Sequence, residues 1–414
     1  MRLVGARAGG VKIVLNNSSL IHHLQPIDLA LKEPTLTHMR ALTFCSLALV
    51  WILPADGFGQ VTVDSVPGIN SSNSMTSRLD RKIDTKIRQA MKQKELVGLV
   101  VGILKNGKTT YYCYGETKKG NGQLPNEHTI FEIGSITKTF TGTLLAYAVL
   151  DGKASLYDPV NKYLPDSIPS LEYRGTPVSL VTLSNHTSGL PRMPSNFDSS
   201  HPGRVFIDYN DSDLYQFYMN FKLPRKPGEK MEYSNLGAAT LGVVLERIYH
   251  TSYDSLVIKL ICDPLNMNDT RLEVPAVDSS RFAHGYGPKG RSVRPWPMKA
   301  FAGAGGIRST AADMLKYAQA NMGDAPPPLN KPILLSHTST FHSKDVDMGL
   351  GWGIGRYQHR DLYTHDGETG GFQSFIVVDP TKQTAIVILL NKATHDDDLL
   401  DDLGSDIGLM VEKN

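Results

Sequence analysis

The sequence predicts an α/β (α+β) protein: an antiparallel sheet flanked by helices, with a mainly helical domain inserted between the sheet's first and last strands. Three observations predict it. Two β-rich runs, at residues 97–104 and 109–114, are joined through Asn106-Gly107, a dipeptide that favours the left-handed turn of a tight hairpin. Two further runs, 371–378 and 385–391, surround a polar turn near the end of the chain. Between about 156 and 293 strand patterns thin out and short helical stretches alternate with loops punctuated by Pro and Gly. The implied organisation is a leader and signal segment over 1–59, a linker over 60–76, a sheet domain made of 77–150 and 295–414, and a mainly helical domain over 151–294.

Length and composition narrow the function classes. At 414 residues, 41% apolar and 20% charged, the chain has the make-up of a globular protein larger than one typical domain. A net charge of +2, with no Lys/Arg cluster interleaved with aromatics, offers nothing for a nucleic acid, so small or neutral partners are expected. The three cysteines, Cys45, Cys113 and Cys262, have no zinc-like spacing; Cys113 and Cys262 are expected to be buried and free. No cofactor and no metal is called for.

Taken in order, residues 1–38 lack periodicity. Met39-Arg40 then precede an apolar run over 41–53, too short for a stable bilayer span, with Gly57-Phe58-Gly59 ahead of Gln60. This reads as a signal peptide cleaved near Gly59, with translation starting at Met39 and delivery to a periplasmic or secreted location. No second apolar span occurs, so no stable membrane segment is expected after cleavage. Leu79, Ile83, Ile87, Ala90 and Met91 mark an amphipathic helix.

Residues 131–152 form a loop feeding a buried helix, whose first turn carries Ser135 and Lys138. Positions three apart on a helix share a face, so the lysine projects toward the serine hydroxyl. A hydroxyl is a weak nucleophile until a neighbouring base takes its proton, and a lysine can serve when burial or nearby cations lower its pKa. Ser-x-x-Lys occurs once in the chain. Taken alone it reads more readily as a chance pairing of two common residues.

Two further groups complete a constellation. Tyr233-Ser234-Asn235 follows the Pro227-Gly228 turn and opens a helix; a tyrosine with a lowered pKa beside a lysine would shuttle protons, and Asn235 offers a donor and an acceptor. Tyr218 and Asn220 have the same spacing, but Tyr218 falls among Leu214, Phe217 and Phe221 on an apolar helix face. Residues 363–372 lead into the last hairpin; glycines at 367, 370 and 371 permit close backbone approach, and His365 could offer a cation to a substrate carboxylate.

These segments, with 152–160, 183–191 and 305–313 in the same order, resemble the serine β-lactamase and penicillin-binding protein superfamily, specifically its class C branch with D-alanyl-D-alanine carboxypeptidases and β-lactamase-fold esterases. The resemblance covers roughly residues 80–395 and implies a β-lactamase/transpeptidase-like fold. It further implies Ser135 as acylated nucleophile, Lys138 and Tyr233 as acid/base pair, and Asn235 as a contact to the substrate amide. His365 and Gly367 would bind substrate, and the N–H groups of Ser135 and Glu368 would form the oxyanion hole. The implied substrate is a small molecule or a peptidoglycan peptide: a β-lactam, a D-Ala-D-Ala amide or an ester, with a penicillin-binding protein that turns over poorly as another outcome. One departure stands out: class C β-lactamases usually carry Lys-Thr-Gly where this chain has His365-Asp366-Gly367. An α/β-hydrolase is disfavoured by the absence of any Gly-x-Ser-x-Gly.

Overall fold

The computed structural model describes residues 68–197, 206–396 and 398–413, together with the backbone of two short strands at Arg7–Ala8 and Val11–Lys12. The expected signal segment, its start at Met39 and its cleavage near Gly59 lie outside the described residues.

Helix α1 (Arg78–Lys94) begins with reciprocal hydrogen bonds between Ser77 and Asp80: the Asp80 N–H donates to Ser77 Oγ at 3.0 Å, and the Ser77 N–H to Asp80 Oδ2 at 2.7 Å. It buries Ile83, Ile87, Ala90 and Met91. Strands β1 (Gly98–Lys105) and β2 (Lys108–Gly115) follow, and Asn106 and Gly107 between them both have positive φ, 49° and 74°, as the Asn-Gly turn requires. Short strand β3 (Phe131–Glu132) runs into a 3₁₀ turn at Gly134–Ile136, then helix α2 (Thr137–Leu150). The middle of the chain supplies α3 (Leu180–Ser184), α4 (Asp211–Asn220) and α5 (Asn235–Tyr249). Strand β4 (Arg308–Ser309) pairs antiparallel with β3, and α6 (Ala311–Asn321) and α7 (Pro327–Ser336) come next. The chain then lays down β5 (Phe341–His342), β6 (Asp347–Met348), β7 (Gly353–Tyr357), β8 (Arg360–Glu368), β9 (Gln373–Asp379) and β10 (Thr384–Leu390), and ends in α8 (Leu399–Glu412).

The main sheet has eight strands in the order β5-β6-β7-β8-β9-β10-β1-β2, all neighbours antiparallel. Its register follows side-chain alternation. Leu99, Val101 and Ile103 of β1 pack with Ile83 and Ile87 of α1 and with Leu400, Leu403 and Ile407 of α8 on one face. Val100 and Leu104 face the other way, into a larger core shared with α2, α5 and α6. Burial of each such Leu, Ile or Val contributes about 1.5–3 kcal/mol, so two apolar layers hold the sheet between them. Tyr112 and Tyr114 of β2 donate hydroxyl hydrogen bonds to Asp80 and Asp84 at 2.8 and 3.0 Å, fixing α1 across the edge.

Two details position the site. Pairing of β7 with β8 runs only from Tyr357↔Arg360 to Gly353↔Thr364, so residues 365–368 leave that partner behind and lie against the Ser135 turn. Helix α2, in turn, packs so closely on the loop before β7 that a Cβ at Gly142 would lie 2.0 Å from the Leu350 carbonyl oxygen. Cys113 and Cys262 are both buried and unpaired.

Candidate active site

Ser135 lies in the 3₁₀ turn just ahead of α2, not in the first turn of the helix itself as expected, while Lys138 does lie in that first turn. Gly134 has a φ of +49°, and a Cβ there would meet the Glu368 backbone nitrogen at 2.8 Å. Glycine is therefore what allows the serine turn to rest on the end of β8. Lys138, the second residue of α2, directs Nζ to Ser135 Oγ at 2.9 Å and to the Ala304 carbonyl oxygen at 2.6 Å. Its side chain is 2% exposed, and burial, reinforced by the Arg192 guanidinium and opposed by Asp366, lowers its pKa to about 7. Near neutral pH a large fraction of Lys138 is thus the free amine, the form able to accept a proton.

Tyr233 immediately precedes the Ser234 cap of α5, where Ser234 Oγ accepts the Gly237 N–H at 2.8 Å. Its ring lies 4.9 Å from Lys138 Nζ and 5.1 Å from the Arg192 guanidinium carbon, measured to the ring centroid. Here the expected lowered phenol pKa is reversed. Burial pushes it up and Asp366 adds to that, outweighing the nearby Ser135 hydroxyl and Arg192, which act in the opposite direction. Tyr233 is consequently a neutral phenol over the whole physiological range, suited to donate or relay a proton. Tyr218, by contrast, is fully buried with its hydroxyl 2.5 Å from Thr240 Oγ1. Asn235, the first residue of α5, points its amide at Met193 Sδ, 3.8 Å away.

Strand β8 brings the third group. A Cβ at Gly367 would lie 2.2 Å from the Ile133 carbonyl oxygen and 3.0 Å from the Ser135 nitrogen, so the backbones of 367–368 and 134–135 run side by side. The Glu368 side chain is engaged away from this contact, accepting from Gln373 Nε2 and from His395 Nδ1, each at 2.8 Å. His365 is buried, and its Nδ1–H donates to the Asp366 carbonyl oxygen at 2.6 Å. The neutral ring then keeps its lone pair on Nε2. Burial, together with Lys138, lowers the His365 pKa against the opposing pull of Asp366. The cation expected at this position is therefore absent at neutral pH, and the ring offers an acceptor instead.

Residues that sequence reasoning passed over frame this group. Glu132, 4% exposed, accepts from the Trp296 N–H and from Thr369 Oγ1, both at 2.8 Å, and faces Arg308 Nη2 at 3.5 Å. It clasps the nucleophile strand, the segment after β8 and the 291–298 loop together. Arg192, which opposes a charge on Lys138, has no signal in the sequence beyond following Pro191. His186 is part of the 183–191 block but carries no role there. No three His, Cys, Asp or Glu side chains among the described residues are grouped to hold a metal ion.

The arrangement is an alcohol held by a low-pKa amine under a neutral phenol, with two backbone segments running side by side next to it. It is suited to acyl transfer from a carbonyl to serine. The family profile described as Beta-lactamase matches residues 83–408. The chain belongs to the Beta-lactamase family. It is a serine hydrolase of β-lactamase type. Among relatives, a β-lactamase of Pseudomonas fluorescens is 29% identical over 346 residues, 75% of this chain and 92% of that protein. A solved class C β-lactamase superposes with a TM-score of 0.73 at 28% identity, covering 83% of this chain and 99% of that one. A β-lactamase/D-alanine carboxypeptidase from Pseudomonas syringae shares the fold, with a TM-score of 0.72 at 24% identity over 80% of this chain and 99% of that one. In this β-lactamase-family chain no helix among the described residues is long and apolar enough to cross a membrane.

Proposed function

We propose that the protein hydrolyses β-lactam amides through an acyl-enzyme on Ser135. The observation that carries this reading is the 2.9 Å contact between Ser135 Oγ and a lysine whose pKa is lowered to about 7. As the C–O bond forms between Ser135 and the carbonyl carbon, the hydroxyl proton passes to the Lys138 amine and the carbonyl oxygen takes up negative charge. The N–H groups of Ser135 and Glu368 are the donors for that oxyanion. Collapse breaks the carbonyl C–N bond, and a proton returns through Lys138 and the Tyr233 hydroxyl to the departing nitrogen. Water then attacks the ester, its proton follows the reverse route, and the carboxylic acid leaves with Ser135 restored. Asn235 would hold the substrate amide, and His365 and Gly367 would line the strand edge beside it. The β-lactamase names of the relatives support this substrate class.

Steady-state assay with a chromogenic cephalosporin is expected to show many turnovers per enzyme. A single stoichiometric burst, or no reaction beside brisk cleavage of a nitrophenyl ester, would remove lactam hydrolysis as the function.

We also propose export, with translation from Met39 and cleavage near Gly59. The short apolar run over 41–53 and the bacterial β-lactamase relatives support it. N-terminal sequencing of the exported protein should begin near Gln60; residues 1–38 still attached would contradict it.

A further inference from the structure

The 183–191 block, like 152–160 and 305–313, has no task in the acyl-transfer chemistry. In space it lies along the segment that carries Tyr233, and the hydrogen bonds between the two are closely spaced. The Glu232 N–H donates to the His186 carbonyl oxygen at 2.8 Å. The Ser234 N–H donates to His186 Nδ1 at 3.2 Å, and Ser234 Oγ donates to the Pro191 carbonyl oxygen at 2.7 Å. Asn235 and Leu236 both donate their N–H groups to the Arg192 carbonyl oxygen, at 3.1 and 3.2 Å. Residues on either side of Tyr233 are thus tied to residues 186–192, with Tyr233 between the ties. The imidazole of His186 then packs on the Tyr233 ring, centroids 4.3 Å apart and planes inclined by 32°.

His186 is held there at some cost. Its backbone is left-handed, φ +63°, a region that a non-glycine residue seldom adopts and that clusters at functional sites. The side chain is 1% exposed, and because Nδ1 accepts from Ser234 the ring proton must reside on Nε2, which has no hydrogen-bond partner among the described residues. A buried donor left unmatched is unfavourable, so this placement costs stability.

Besides Tyr233, the charged and titratable groups around the ring are Lys138, His365 and Arg192. With burial first and these groups adding to it, the imidazole is kept neutral well below its ordinary range; the Ser234 N–H, which needs the Nδ1 lone pair, also favours the neutral ring. His186 therefore does not exchange protons near neutral pH, which leaves geometry as its contribution.

We infer that His186 is a positioning residue that fixes Tyr233: its ring sets the plane of the phenol, and its Nδ1 and carbonyl oxygen fix the backbone on both sides of it. This rests on the proposed proton relay through Tyr233. Transfer between Ser135, Lys138 and the leaving nitrogen needs the hydroxyl within hydrogen-bond reach of all three, and a displacement of about 1 Å can cost about a hundredfold in rate.

A double-mutant cycle tests it, with kcat and KM measured for the chromogenic cephalosporin and a nitrophenyl ester in wild type, His186→Ala, His186→Asn, Tyr233→Phe and both combinations with Tyr233→Phe. His186→Ala should lower kcat about ten- to a hundredfold with KM changed less than about threefold. In the Tyr233→Phe background the same change should have almost no effect, because the group it positions is gone. Asparagine tolerates the left-handed backbone and can accept the Ser234 N–H through Oδ1, so His186→Asn should recover part of the lost rate. If His186→Ala does not fold, His186→Asn decides by the same cycle, with a kcat loss expected in wild type and none in the Phe background. Equal losses in both backgrounds, or an unchanged kcat, would overturn the inference. A Tyr233→Phe protein as fast as wild type would instead overturn the proton relay itself.

Discussion

Ser135→Ala is expected to reduce turnover of any accepted lactam or ester by about a thousandfold or more while leaving the folded state intact. The hydroxyl is only partly buried and is hydrogen-bonded to Lys138 Nζ, so its removal costs little packing and takes one partner from that amine. That donor, Lys138 Nζ, still has the Ala304 carbonyl oxygen. The backbone N–H groups of Ser135 and Glu368, proposed as the oxyanion donors, would survive, so substrate binding should be retained and kcat should carry the loss. Stopped-flow and steady-state kinetics on the variant check this. A drop confined to KM would mean that Ser135 binds substrate without being acylated.

The second large effect is the pH dependence imposed by Lys138. The general-base role needs the amine, and with a pKa of about 7 the amine fraction falls about tenfold per unit once the pH is well below that value. Plots of kcat/KM against pH should therefore rise through about 7 and level off. Neighbours then move this limb in opposite directions. Arg192 lowers the Lys138 pKa, so Arg192→Gln should shift the limb to higher pH; Asp366 raises it, so Asp366→Asn should shift the limb to lower pH. Stability follows the same group with a definite sign. The folded pKa is about 7 and the unfolded value about 10.4, so between them the unfolded chain binds the extra proton and folding is favoured increasingly as pH rises. Relative to Lys138→Met, the wild-type protein should gain melting temperature across that window and show a constant difference below it. A pH-independent rate from 5.5 to 8.5 would remove Lys138 as the base.

Local chemistry made much of the architecture legible. The β1–β2 turn could be read because Asn106 and Gly107 both take positive φ, and the α1 face because Ile83, Ile87 and Met91 recur with the helical period. The proximity of Ser135 and Lys138 could be read for the same reason, since spacing of three fixes a shared face. Charge states were another matter. A lowered phenol pKa and a cationic imidazole are reasonable for Tyr233 and His365 in water, but both side chains are desolvated in the folded chain, Tyr233 lying against His186 and Arg192 and His365 near Lys138. Burial of that kind has no trace in local spacing. The Glu132 clasp was hidden likewise, because its partners Trp296, Arg308 and Thr369 lie 164 to 237 positions downstream. His186 stood inside a recognisable block, yet its contact with Tyr233 joins residues whose proximity only the packing of α3 against α5 establishes.

Intact-protein mass spectrometry after mixing with penicillin addresses covalent chemistry at its source. Acylation of Ser135 predicts a transient adduct of one penicillin per chain, mapped by peptide analysis to the fragment containing Ser135, decaying as product accumulates and missing from Ser135→Ala. An adduct on another residue, or product formed by Ser135→Ala at the wild-type rate, would contradict it.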